Sequence, residues 1–423
     1  MNKVPYFLFL LFVMFSSLQA VVSYPFPQHT TYTTGVILPQ VNRDVMDQAV
    51  ESFYNEWKQA YLRNVPDAPN QTYVFYNEDG ESEPDNAVSV SEGQGYGMML
   101  VAYMAGYDPQ AQAIFDNMFR YYLAFESILT PFLMGWQQMD EDGEIVPTPP
   151  PYGGDDSATD GDIDIAYALL LADKQWGSSG SINYLAQANA MIDAISDADV
   201  NLQKFTLKLG DWVEDGDKKY GKATRQSDFI LNALRNFYAS SNKAIWNTVI
   251  TNTYSVINEL FNNYSPGTGL LPDFAEFKNN AYVPARANFL EDDTDGDYSW
   301  NSCRTPWRIA TDYILSGDTR ALTQLTTLNN WIKTSTNQNP QQIRAGYELD
   351  GTSLVNYDDL AFIAPFAVSA MISNSNQAWL NTLWTFINQQ PSANENYYAN
   401  SIRLLCLIVV SGNWWTPINL PPI

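Results

Sequence analysis

The sequence predicts an all-α fold in which paired helices close into an (α/α)6 barrel. Three observations predict it. About twelve segments carry apolar residues at helical spacing, and they fall into about six consecutive pairs. Few segments alternate apolar and polar residues, so no large sheet is expected. Some helical segments are apolar all round and others on one side only, which suits an inner ring wrapped by an outer one. The competing architecture, a helical solenoid, needs a repeat of fixed period, and none is found. No linker rich in Pro, Gly or Ser divides the chain, so residues 24–423 read as one domain.

The first helix is expected over 44–63, where Val45, Ala49, Phe53, Trp57 and Tyr61 stand four residues apart. Helices over 93–104 and 110–125 follow. The segment 162–174 is apolar enough to expect burial on most sides. Helices over 183–195, 225–240 and 244–261 continue the series, and 303–315, 321–334, 359–372, 379–388 and 396–409 complete it. Four long loops separate them, 66–90, 137–157, 265–301 and 337–357. Long loops on a compact scaffold are where sites are usually built.

Residues 1–23 read as a secretory signal peptide. Lys3 supplies a positive start, 7–15 is an apolar run, and small or polar residues are frequent from Ser16 to Ser23. That run is too short to span a bilayer, and no later segment reaches about 18 consecutive apolar residues. A secreted, extracellular protein is expected, a monomer with no membrane contact in its mature form.

Composition narrows the chemistry. Acidic residues number 47 against 22 basic ones, a net charge of −25, which repels nucleic acids and anionic membranes. The single histidine, His29, stands near the N-terminus, so Ser-His-Asp, Cys-His and His-ligated metal chemistries are largely excluded. Catalysis must then run on carboxylates, Tyr, Lys or Cys, and no cofactor or metal is expected. Cys303 and Cys406 lack CxxC spacing and sit in apolar helical patterns, which favours buried thiols over a bridge.

Three constellations carry chemistry. Ser91-Glu92-Gly93-Gln94-Gly95-Tyr96-Gly97 sets a carboxylate and three glycines at a loop-to-helix junction. It reads either as a helix start capped by Ser91 or as a place where a ligand approaches the backbone. Asp160, Asp162 and Asp164 alternate at the head of the most apolar helix. A calcium loop would need Gly and Glu where Ile165 and Leu171 stand. An acidic first turn is the plainer reading for at least one of the three. The third is the acidic loop 288–297, which runs into Tyr298-Ser299-Trp300-Asn301-Ser302-Cys303-Arg304. Trp136, Trp212, Tyr220 and Trp300 lie in or beside loops, where they either stack on sugar rings or seal the rim of the barrel.

The run Ala158-Thr159-Asp160-Gly161-Asp162-Ile163-Asp164-Ile165-Ala166-Tyr167 resembles the signature of family-8 glycoside hydrolases. The Glu92 segment and the stretch 301–313 resemble two further motifs of that family, in the expected order. The resemblance implies an (α/α)6 barrel and inverting hydrolysis of β-1,4-linked polysaccharide chains. It makes Glu92 the general acid, Asp160 the aspartate that contacts the sugar at the cleavage point, and Arg304 the arginine of the third motif. Tyr96, inside the first motif, is assigned to substrate binding. Asn301 stands where the cellulase-like subgroup has its aspartate base, and an amide cannot take a proton from water. In the subgroup with chitosanases and mixed-linkage glucanases the base is a glutamate about ten residues upstream, and Glu291 stands there. Trp136 and Trp212 resemble subsite tryptophans of that subgroup.

The acidic charge would attract a polycation, and Asp228 is a candidate partner for a glucosamine ammonium. Chitosan is therefore the first expected substrate, with a mixed-linkage β-1,3-1,4-glucan or cellulose next. A non-catalytic glycan-binding protein is the rival, but binding alone would require neither Glu92 nor Glu291 as a proton carrier.

Overall fold

A computed structural model describes residues 22–78, 80 and 82–418. Most of the expected leader, residues 1–21, lies outside the described residues. No helix among them is long and apolar enough to cross a membrane. The twelve α-helices among the described residues are α1 (Arg43–Tyr61), α2 (Ser91–Tyr103), α3 (Ala111–Ala124), α4 (Thr159–Trp176), α5 (Tyr184–Ala198), α6 (Leu231–Ser241), α7 (Ile245–Tyr264), α8 (Thr305–Ser316), α9 (Leu322–Ser335), α10 (Leu360–Ala370), α11 (Gln377–Gln389) and α12 (Tyr397–Val410).

Burial sorts them into two rings. The even-numbered helices touch in cyclic order, α2 to α4, α6, α8, α10, α12 and back to α2. Every residue of α10 is buried, and nearly every residue of α2, α4 and α12. The odd-numbered helices pack outside the inner ring, α5 and α9 each against two inner helices and the others against one, and bury one face only. This is the (α/α)6 barrel.

Two helical expectations shift in detail. In α1 the buried face is Met46, Val50, Phe53, Tyr54, Trp57 and Tyr61, while Val45 is exposed. A strict four-residue series drifts about 40° per step around a helix of 3.6 residues per turn, so its far end leaves the buried stripe. The helix expected from 225 begins only at Leu231. Thr224–Arg225 is instead a strand paired to Phe274–Lys278, with Arg225 opposite Phe274.

The three glycines after Glu92 serve packing rather than ligand approach. A Cβ at Gly95 would meet Asp164 Cβ at 2.7 Å, and one at Gly93 would meet the Tyr397 hydroxyl at 2.6 Å. On the facing helix, a Cβ at Gly161 would stand 2.3 Å from Ser91 Oγ and 2.7 Å from the Ser91 backbone. Small residues on both sides let α2 and α4 approach closely. Ser91 is buried as the first residue of α2, and Val90 takes the cap position without a side-chain cap bond. Gly161→Ala should destabilise the fold by about 1–3 kcal/mol through overpacking. A lowered thermal unfolding midpoint checks it, and an unchanged midpoint would show that the two helices can move apart.

The long loops carry short antiparallel strands. Val90 pairs with Gln137, which ties the start of α2 to the loop bearing Trp136. The pairing of Thr224–Arg225 with Phe274–Lys278 brings Arg225 to the loop that leads to Asn301. The loop 337–357 pairs Tyr347 with Tyr298 and braces the acidic loop from behind, and it gives no residue to the cleft described next. Cys303 and Cys406 are both free and buried.

Candidate active site

The N-terminal ends of α2, α4 and α12 and the residues just before α8 meet at one cleft of about 390 Å³. Glu92 is the second residue of α2, Asp160 the second of α4, and Arg304 immediately precedes α8. Asp160 and Asp164 are one helical turn apart, as are Arg304 and Arg308. The two turns pair across the barrel, with Arg304 Nη1 donating to Asp160 Oδ2 at 2.9 Å and Arg308 Nη1 to Asp164 Oδ1 at 3.0 Å. Asp162, on the other side of α4, accepts from the Met134 N–H at 2.9 Å. Alternation thus turns Asp162 away from the cleft, while one further helical turn carries Asp164 deeper than Asp160 on the same side.

The polar groups form a closed ring. Arg304 Nη1 donates to Glu92 Oε2 at 2.5 Å as well as to Asp160. Arg304 Nη2 donates to Asn301 Oδ1 at 2.9 Å, and Asn301 Nδ2 donates to Glu291 Oε2 at 2.6 Å. Arg225 Nη1 lies 3.7 Å from Glu291 Oε1, and Arg225 Nη2 returns the ring to Asp160 Oδ1 at 3.1 Å. The Tyr397 hydroxyl donates to Glu92 Oε1 at 3.2 Å. Glu92 and Glu291 therefore face one cleft with Arg304 and Asn301 between them.

The two glutamates differ in surroundings. The Glu92 side chain is 17% exposed and that of Glu291 45%. Burial raises the Glu92 pKa; Arg304 opposes this and the Asp160 charge adds to it. Loss of water also raises Glu291, against Arg225 and the Asn301 hydrogen bond. Burial would raise Asp160 too, but Arg225 and Arg304 outweigh it and hold that carboxyl down at about 2. The centre thus keeps a firmly ionised aspartate between two carboxyls whose protons are held more tightly than usual.

Aromatic walls extend the cleft in both directions. One arm is lined by Trp136, Tyr152 and Trp212, the other by Trp300 and Tyr398, and Glu291 borders both. The result is a groove that passes the carboxylates rather than a closed pocket.

Comparison with known proteins places this geometry. The sequence profile described as Glycosyl hydrolases family 8 matches residues 54–412. The chain belongs to that family. This family-8 chain is 50% identical over 393 residues to a beta-glucanase of Niallia circulans, covering 93% of this chain and 91% of the relative. It is 39% identical to an endoglucanase of Bacillus sp. (strain KSM-330), covering 93% and 82%. The apo structure of a beta-1,3-1,4-glucanase from Paenibacillus sp. X4 superposes with a TM-score of 0.87 at 49% identity, covering 93% and 99%. A xylanase from Teredinibacter turnerae, at 18% identity and a TM-score of 0.73, shares the fold. The family-8 protein is an O-glycosyl hydrolase.

Of the residues singled out from sequence, the cleft of this hydrolase gathers Glu92, Asp160, Glu291, Asn301, Arg304, Trp136 and Trp212. Tyr96, Asp228 and Tyr220 are placed elsewhere. Tyr96 is fully buried beneath the cleft, where its hydroxyl accepts from Arg304 Nη1 at 3.1 Å, so it supports the arginine rather than a sugar. Asp228 is also fully buried and accepts from Arg225 Nε at 3.0 Å, so no ammonium of a substrate can reach it. Burial pushes Asp228 up to about 7, with Arg225 opposing. Tyr220 packs with Phe289 on a small satellite core under the groove, which is the rim-sealing alternative.

Sequence reasoning missed Arg225, Asn396, Tyr397, Tyr398 and Tyr152. Arg225 carried a signal, because a chain with few cations seldom buries one except against carboxylates. It also missed two buried carboxylates that shape the acidic loop. Asp295 accepts from the N–H groups of Leu290, Glu291 and Asp292 at 2.7, 3.1 and 3.1 Å. Asp273 accepts from the N–H groups of Ser299, Asn301 and Ser302 at 3.0, 3.1 and 2.7 Å. Asp295→Ala should free the Glu291 backbone and lower kcat on the order of 10²-fold through misplacement alone, with KM little changed. Steady-state kinetics check this, and wild-type kcat in a folded variant would show that the loop holds itself.

Proposed function

We propose that this family-8 hydrolase is a secreted, inverting endo-β-glucanase acting on mixed-linkage β-1,3-1,4-glucan. The observation that carries the reading is the open groove in which Glu92, Asp160 and Glu291 share Arg304 and Arg225 between two aromatic arms. An inverting hydrolase needs a protonated and an ionised carboxyl on opposite faces of the sugar, separated by roughly 6.5–9.5 Å so that a water fits. Glu92, the less exposed, protonates the leaving oxygen. Glu291, at the solvent edge, accepts a proton from the attacking water, which Asn301 helps to position. Asp160, held ionised, hydrogen-bonds the sugar and favours the positive charge that develops on its ring. A groove open on both sides of this centre supports cleavage within a chain.

Chitosan, first in order from the charge balance, yields to glucan. The carboxylate assigned to the ammonium is buried on Arg225, and two guanidiniums already balance the acids in the cleft. The beta-glucanase and beta-1,3-1,4-glucanase among the relatives support the same order. Reducing-sugar release should be high on barley-type mixed-linkage glucan, lower on soluble cellulose and near background on chitosan. Proton NMR of early product should show the α-anomer first. Chitosan as the preferred polymer would overturn the substrate, and an initial β-anomer would overturn the inverting mechanism.

A further inference from the structure

Arg225 spends every side-chain nitrogen on a different carboxylate. Nε meets Asp228 at 3.0 Å, Nη2 meets Asp160 at 3.1 Å, and Nη1 lies 3.7 Å from Glu291. Its side chain is only 11% exposed, and Asp228 behind it is fully buried. The strand pairing of Arg225 with Phe274 fixes its backbone. Arg225 is therefore anchored from behind and from the side, with one edge presented to the cleft. Glu291, by contrast, stands on an exposed stretch of loop, and Asn301 gives its carboxylate one further contact.

We propose that Arg225 is a positioning residue that holds the Glu291 carboxylate in the groove by bridging it to Asp160 and Asp228. This deepens the reading of Glu291 as the base and rests on it. The bridge does two things. It limits the directions in which a loop carboxylate can point, so the activated water stays aligned with the sugar carbon. It also sets a cation beside the base, which keeps the base ionised at lower pH. The charged groups that face Glu291 are Arg225, Arg304, Asp273 and Asp295, with the Asn301 amide. Those that face Arg225 are Asp160, Asp228, Glu291 and Arg304, with Glu92 more weakly. Arg225 and Arg304 are the cations that face Glu291, and Arg304 is committed to Glu92 and Asp160.

The test is the pH profile of kcat/KM on mixed-linkage glucan for wild type, Arg225→Gln and Arg225→Lys, with circular dichroism to confirm folding. Arg225→Gln should move the acid limb upward by about one pH unit or more, the usual effect of losing a cation at this range. It should also lower kcat at the new optimum, with KM little changed. The basic limb should follow by less, because Glu92 feels Arg304 more strongly than Arg225. Arg225→Lys restores a charge but not a three-way bridge, so its acid limb should stay in place while kcat falls. A folded Arg225→Gln variant with an unmoved acid limb would overturn the proposal. If that variant does not fold, Arg225→Lys decides: wild-type kcat, or a displaced limb, overturns it. Wild-type turnover in Glu291→Gln would instead remove the base assignment, and this proposal with it, whereas an inactive Glu291→Gln with an unmoved Arg225 limb removes this proposal alone.

Discussion

Glu92→Gln should lower kcat on mixed-linkage glucan by about 10²–10⁴-fold, the range that positioned proton transfer contributes. The amide keeps the shape of the carboxyl, so KM should hardly change. The leaving group makes the test selective. A glucan oxygen leaves only when protonated, whereas an activated aryl oxygen leaves as the anion. Aryl β-oligoglucosides should therefore retain much of their wild-type rate with the variant. The basic limb of the pH profile should vanish with them, because that limb is the deprotonation of Glu92. Its position in the wild type should lie above the ordinary glutamate range, since burial and Asp160 raise the group more than Arg304 lowers it. Equal losses on polymer and on activated substrate would show that Glu92 is not the acid.

Glu291→Gln should cause a loss of similar size, about 10²–10⁴-fold, but on both kinds of substrate. Water must be deprotonated whatever the leaving group, so no activated glycoside bypasses the base. The sign of the pH effect is opposite to that of Glu92. Activity needs Glu291 ionised, so it rises as pH passes upward through the Glu291 pKa and falls as pH passes upward through that of Glu92. Both groups are raised from their ordinary value, and the bell should be displaced upward as a whole. If Asp293 or Asp297 variants lose turnover while Glu291→Gln keeps it, the base lies elsewhere on the acidic loop.

The helical plan was legible because it follows from local periodicity. Apolar stripes mark the outer helices, and near-continuous apolar runs such as 162–174 mark the inner ones. Chemistry was legible where a residue type is decisive by itself. One histidine leaves carboxylates, Tyr, Lys or Cys, and an amide at Asn301 cannot serve as a base, so that the family resemblance points to Glu291 in its place. Motif resemblance carried Glu92, Asp160 and Arg304 to the positions where the structure brings them into contact.

What only the tertiary structure decided is who faces whom across the barrel. Asp228 and Arg225 are close in sequence and both charged, yet one is sealed behind the cleft and the other borders it. The difference depends on a strand pairing to Phe274 that local spacing does not encode. Tyr96 shares a motif with Glu92, yet lies beneath Arg304, because four residues along an inner helix lead from the rim into the core. The glycines near Glu92 read as available to a ligand from sequence, whereas Tyr397 fills the space at Gly93, Asp164 that at Gly95, and Val74 and Met118 that at Gly97. Periodicity is a property of neighbours along the chain, and it determined the rings. Charge pairing and close approach are properties of neighbours in space, and they became visible only once the rings had closed.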